Sequence, residues 1–168
     1  RDEMVKLMPA LRARYPSYHS FGASTVEDIL PPEEVKRATV LEARTFASSI
    51  AVSRADGSFE LRALPVEAQV SPVYASIVGD FNADGTADIL LGGNFTGAPP
   101  MLGQNVSSFG VLLQGTGAGS FQSIPYAQSG LQVRGEVRQM RRIRQPAGRT
   151  ATVVARNNDR LLFLRHRR

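Results

Sequence analysis

Three carboxylates and one side-chain amide fall within nine residues of the chain, in the run Asp80-Phe81-Asn82-Ala83-Asp84-Gly85-Thr86-Ala87-Asp88. Asp80, Asn82 and Asp84 stand at alternate positions, so a curling backbone turns them toward one point. Gly85 permits the sharp bend, Thr86 can offer its carbonyl, and Asp88 closes the run. Oxygen donors in this number suit Ca2+, a hard cation that takes 6–8 oxygens. Asp/Asn/Gly turns also bond their own backbone, and a solvated turn is the competing reading. Three carboxylates this close repel one another in the absence of a cation. No basic residue lies between Asn82 and Asp88 to relieve them. The expectation is therefore a calcium loop. It is not an EF-hand, which requires Glu at its twelfth position and helices on both sides. The twelfth position here is Leu91, and the flanks VYASIV and ILLGGN read as strands.

Other chemistry is sparse. The chain has no cysteine, which removes disulfides, thiolate zinc sites and cysteine nucleophiles. That absence fits a bacterial exported protein held by calcium, and fits a cytosolic protein equally well. The two histidines, His19 and His166, exclude a histidine-rich metal centre, and neither belongs to a recognisable nucleophile–base pair. A glycoside hydrolase would need Glu67 or Glu136 as a second carboxylate, and no pattern supports one. The reading is a binding or structural module and no enzyme. Asn94-Phe95-Thr96 and Asn105-Val106-Ser107 match the glycosylation sequon, a pattern that chance often produces. Gly92-Gly93-Asn94 lacks the lysine of a phosphate loop.

Charge is split along the chain. Residues 131–168 carry 11 arginines against Glu136 and Asp159, a net +9, whereas residues 1–130 carry 9 basic and 13 acidic groups. Arg138, Arg141, Arg142, Arg144 and Arg156 could form an anion-binding surface for RNA or an acidic polysaccharide, with affinity falling steeply as salt rises. Few aromatics lie among them to stack on bases, which argues against specific nucleic-acid recognition. The bland alternative is that these arginines form the solvent face of strands, their stems covering apolar surface.

The elements that must position these residues are mostly strands. Residues 1–38 have helical spacing at Met4, Met8, Leu11 and Tyr15, interrupted by Pro9. Thr25 stands three residues before Asp28, as in a capping box, and Pro31-Pro32-Glu33-Glu34 opens another short helix. From residue 39 the period becomes that of strands. A hairpin turns at Arg54–Gly57 and returns through Ser58–Pro65. Strands are then expected at Tyr74–Asp80, Asp88–Asn94, Ser108–Gln114, Ser120–Pro125, Gly135–Arg144, Thr150–Arg156 and Leu161–Arg165. An internal repeat supports this division: Ala55-Asp56-Gly57-Ser58-Phe59 ending at Leu64-Pro65 matches Ala118-Gly119-Ser120-Phe121 ending at Ile124-Pro125.

Four short antiparallel strands per repeat form the β-propeller pattern. The run DFNADGTADILLGGN resembles the FG-GAP/VCBS repeat, a D-x-[DN]-x-D-G-x-x-D loop between the first two strands of a blade, and SFGVLLQGTGAGSF resembles the rest of that blade. More broadly, the chain is similar to the C-terminal part of exported bacterial VCBS-repeat proteins. The resemblance implies a mainly β fold of antiparallel four-stranded blades in an integrin-α-like propeller. One blade would be complete, at about residues 72–125, with two partial blades in 39–168 and a helical segment at 1–38. It also implies Ca2+ bound for structure by Asp80, Asn82, Asp84, Thr86 and Asp88. The implied partners are the remaining blades and a protein or polysaccharide ligand. The implied location is extracellular, on the cell surface or periplasmic, in a role such as adhesion. The chain begins with Arg1 and is read as a piece of a longer protein, with no visible signal segment and no run near the ~20 apolar residues of a membrane span.

Overall fold

A computed structural model describes residues 1–146 and 149–165. His166, one of the two histidines noted above, lies outside the described residues. The chain divides into two compact units, Arg1–Thr45 and Phe46–Arg168.

The first unit is a set of short helices: α1 (Asp2–Leu7), α2 (Leu11–Arg14), α3 (Tyr18–Gly22), α4 (Val26–Ile29) and α5 (Pro32–Arg37). Pro9 separates α1 from α2, because proline offers no N–H to continue the ladder. Reciprocal capping boxes start α3 at Ser17–Ser20 and α4 at Thr25–Asp28. Helices this short do not stand alone in water. They gather around Val5, Leu11 and Tyr15, with Met4, Met8, Phe21 and Ile29 packed against them. The Tyr15 hydroxyl donates to the Asp28 carbonyl at 3.0 Å.

The second unit is mainly β. It contains a two-stranded sheet of β1 (Ser49–Ser53) and β2 (Phe59–Ala63). Next comes a four-stranded sheet of β3 (Val73–Gly79), β4 (Asp88–Gly93), β5 (Val111–Gly117) and β6 (Ser120–Ile124). The short helix α6 (Tyr126–Ser129) leads to a three-stranded sheet of β7 (Val137–Arg144), β8 (Thr150–Arg156) and β9 (Leu162–Arg165). Every pairing is antiparallel between strands adjacent in sequence. Among the described residues no pairing closes the sheets into a barrel or a ring.

The four-stranded sheet is covered on both faces. Ala75 and Leu90 meet Val137, Met140 and Val154 of the three-stranded sheet. Ile89, Leu91 and Leu113 face the other way, with Ala68, Ile50 and Leu64. Burial on both sides explains why β4 reads Asp-Ile-Leu-Leu-Gly-Gly with no alternation, and all six of its residues are buried. Its glycines admit close neighbours: a Cβ on Gly93 would lie 1.7 Å from the Pro72 carbonyl oxygen.

Two expectations shift. Residues 39–47 form no strand and are exposed, and β1 starts only at Ser49, because that run lacks sustained alternation. The division into compact units falls in sequence between Thr45 and Phe46, within this run. The fifth strand begins three residues later than expected. The Ser108 N–H is drawn to the Asn94 side chain at 3.1 Å, and Gly110 adopts φ +83 before pairing begins. The hairpin that follows turns at Ala118 and Gly119, both at positive φ, so β5 runs on to Gly117.

Candidate metal centre

The acidic loop joins β3 to β4, the first hairpin of the four-stranded sheet. Asp80 anchors its entry. One carboxylate oxygen accepts from the N–H groups of Ala83 (2.6 Å) and Asp84 (3.2 Å), and the other from Gly85 N–H (3.0 Å). Asn82 accepts from the Asp84 N–H at 3.0 Å and donates its amide to Asp84 Oδ2 at 2.7 Å. Asp84 also accepts from Thr86 N–H at 2.7 Å and from the Gln114 amide of β5 at 3.1 Å. Hydrogen bonds from Asn82 first, then Thr86 and Gln114, hold the Asp84 carboxyl below the ordinary carboxylate range. Ala83 (φ 65) and Gly85 (φ 85) supply the tight curl.

Asp88 stands apart from this group. It is 2% exposed, and both oxygens are committed to backbone: Oδ2 accepts from Phe81 N–H at 2.8 Å, Oδ1 from Gly115 N–H at 2.9 Å. It therefore ties the loop's base and the neighbouring strand to the start of β4. Gly115 must be glycine for this approach, since a Cβ there would lie 2.3 Å from the Ala87 carbonyl oxygen.

The structure thus gathers Asp80, Asn82 and Asp84 in one exposed turn, seats Thr86 half-buried after the bend, and buries Asp88 beneath it. Among the described residues no cation pairs with Asp80, Asp84 or Asp88. The donor chemistry fits a hard cation. The arrangement is the self-bonded form of the loop: its carboxylates face backbone N–H groups, and among the described residues no three His, Cys, Asp or Glu groups converge so as to hold a metal ion.

Three of the five arginines have partners of their own. Arg138 pairs with Glu136 at 2.8 Å and lies 4.5 Å above the Tyr74 ring. Arg142 lies over Phe81 at 5.3 Å. Arg156 is spent on the carbonyls of Arg134 and Arg160 and on Asp159 at 2.7 Å. Strand alternation puts Arg141 on the face of β7 opposite Arg142 and Arg144. Comparison with known protein families, curated proteins and solved structures returned no match. The FG-GAP/VCBS resemblance accordingly stands on its motif residues.

A second polar cluster left only a faint signal in the sequence. Asn94, 2% exposed and at φ 78, accepts from Ser71 Oγ (2.7 Å) and donates to the carbonyls of Ser108 (2.7 Å) and Gly135 (3.0 Å). Glu136, 4% exposed, accepts from Thr96 N–H (2.7 Å) and from the Asn157 amide as well as from Arg138. These bonds, Thr96 first, hold its carboxyl below the ordinary range. Two earlier candidates therefore have structural duties: the Asn94 amide is inaccessible to a glycan, and Glu136 is sequestered from substrate. Asn105, Glu67 and His19 are exposed. The one hint of the knot was an asparagine directly after Gly-Gly, a residue that tolerates the left-handed backbone ending β4.

Proposed function

We propose that the chain is a calcium-organised segment of a larger stacked β-sheet assembly of propeller type, acting in binding, adhesion or assembly rather than in catalysis. One observation carries this reading: an uncompensated Asp-x-Asn-x-Asp-Gly turn is locked by Asp88 to a sheet that is itself sandwiched between two others. The remaining open faces support it. On β2, Phe59 (69% exposed) and Leu61 (63%) alternate away from the stack, and Phe163 of β9 is 55% exposed at the other side. A two-stranded sheet is marginal by itself, and apolar faces of this kind suit further sheets continuing the stack.

Calcium would be held by Asp80, Asn82 and Asp84, with the Thr86 carbonyl, while Asp88 keeps the frame. Its contribution is charge neutralisation and fixation of the turn. Adding calcium should raise the melting temperature, by the equivalent of about 2.7 kcal/mol at a hundredfold excess over Kd. A chelator should reverse the shift, and Asp84→Ala should abolish it. A melting temperature indifferent to calcium in the unmodified chain overturns the metal reading.

A further inference from the structure

No charged residue occurs between Asp88 and Arg134, and the middle of that stretch protrudes into solvent. The loop from β4 to β5 is closed at its neck by Phe95 and Asn105, which exchange backbone hydrogen bonds of 2.8 and 2.9 Å. Beneath the neck, the buried Asn94 side chain fastens both ends of the loop to the sheet. Beyond it, every residue from Pro99 to Ser107 is exposed. The tip is a single turn, Pro100–Leu102, and carries Met101 at 87% exposure and Leu102 at 73%. Around the base lie Tyr74, Val106 and Phe109, each close to half exposed. The arginines there are Arg138, over Tyr74 and 5.8 Å from the Phe95 ring, and Arg134, 5.7 Å from the Phe109 ring.

We infer that this loop is a docking tip for the surface of an anionic lipid bilayer. Three features select a bilayer over a protein groove. The apolar tip is exposed beyond a neck closed by two backbone hydrogen bonds, so it can enter a deformable apolar layer without a matched cavity. Behind it are aromatic side chains, which favour the headgroup level. At that level sits Arg134, a cation of the kind anionic headgroups attract and one that no acid pairs among the described residues, together with Arg138, whose charge Glu136 offsets at 2.8 Å. Amphipathic elements of this kind insert shallowly, and their binding combines buried apolar area with attraction to anionic lipid. The acidic loop sits at the other end of β4, so docking does not require calcium.

The test is vesicle co-sedimentation in the presence of a chelator. It compares pure phosphatidylcholine with vesicles of about three parts phosphatidylcholine to one part phosphatidylglycerol, whose anionic surface should attract the arginines. The chain should bind the anionic vesicles. Met101→Ser/Leu102→Ser should weaken that binding on the order of tenfold or more, as two inserted side chains are lost. Arg134→Gln should weaken it less, and only for anionic vesicles. Val40→Ser/Leu41→Ser removes an equally exposed pair from residues 39–47 and should change nothing. Three results each overturn the inference: no binding by the parent chain, equal binding by the Met101/Leu102 variant, or an equal loss in the Val40/Leu41 variant. Unchanged affinity of the tip variant combined with loss of binding at high salt would assign the interaction to basic charge alone.

Discussion

Single side chains in the second unit serve as ties between segments distant in sequence, and Glu136 shows what such a tie is worth. Its carboxylate joins the strand it precedes to the β4–β5 loop through Thr96 and to the β8–β9 turn through Asn157. Replacing Glu136 by Ala removes these part-buried hydrogen bonds and should lower the midpoint of a urea melt. The group also imposes a pH dependence. Its folded pKa lies below the unfolded value, so its stabilisation is complete above about pH 4.3, the ordinary glutamate value, and is lost as pH falls through the folded pKa. Glu136→Gln should flatten that acid limb of the stability curve; an unchanged limb would show that other carboxylates set it.

At the scale of elements, close approach between backbones decides more than hydrophobicity does. Gly93 pairs with Val73 where the chain passes Pro72, and any Cβ there must displace a carbonyl. Gly93→Ala is expected to destabilise by about 3 kcal/mol or more, as overpacking of a rigid neighbour does. At Gly57 no atom lies within 4 Å of the added Cβ, so Gly57→Ala meets only the strain of φ +81 and should cost about 1 kcal/mol. Thermal denaturation of the two variants side by side checks the ranking. Most strands were legible beforehand, since alternation and glycine turns are local signals. Thr25–Asp28 and Pro32 marked their helices for the same reason. The start of β5 was not legible, because it depends on Asn94 capturing Ser108 from 14 residues away. Asp80–Asp88 was legible as a set of oxygen donors. The division of labour within it was not: Asp88 is set apart from Asp80 and Asp84 by its burial and by its contacts with the N–H groups of Phe81 and of Gly115, the latter 27 residues distant.

For the whole molecule, the decisive feature is the exposed run from 39 to 47, which belongs to neither a helix nor a strand. Cleavage of native chains concentrates where backbone is solvated and few contacts must open. Limited trypsin digestion should therefore cut first after Arg44, releasing fragments that correspond to the two units. An early cut within β7, despite its four arginines, would contradict the division. No helix among the described residues is long and apolar enough to cross a membrane.

The Asp88 clasp bears on how the chain avoids misfolding. A strand as uniformly apolar as β4 carries little information about which residue should lie opposite which, because Ile89, Leu90 and Leu91 could exchange places at small hydrophobic loss. Asp88 removes that ambiguity. In the native alignment, with Ile89 across from Leu113, its two oxygens meet the N–H groups of Phe81 and Gly115. A one-residue slip would carry the carboxylate away from at least one of these donors and strand a charge in the interior, which is far costlier than misplacing a leucine. The carboxylate thus acts as an alignment key, penalising every register but one while the leucines supply the adhesion that any register would enjoy.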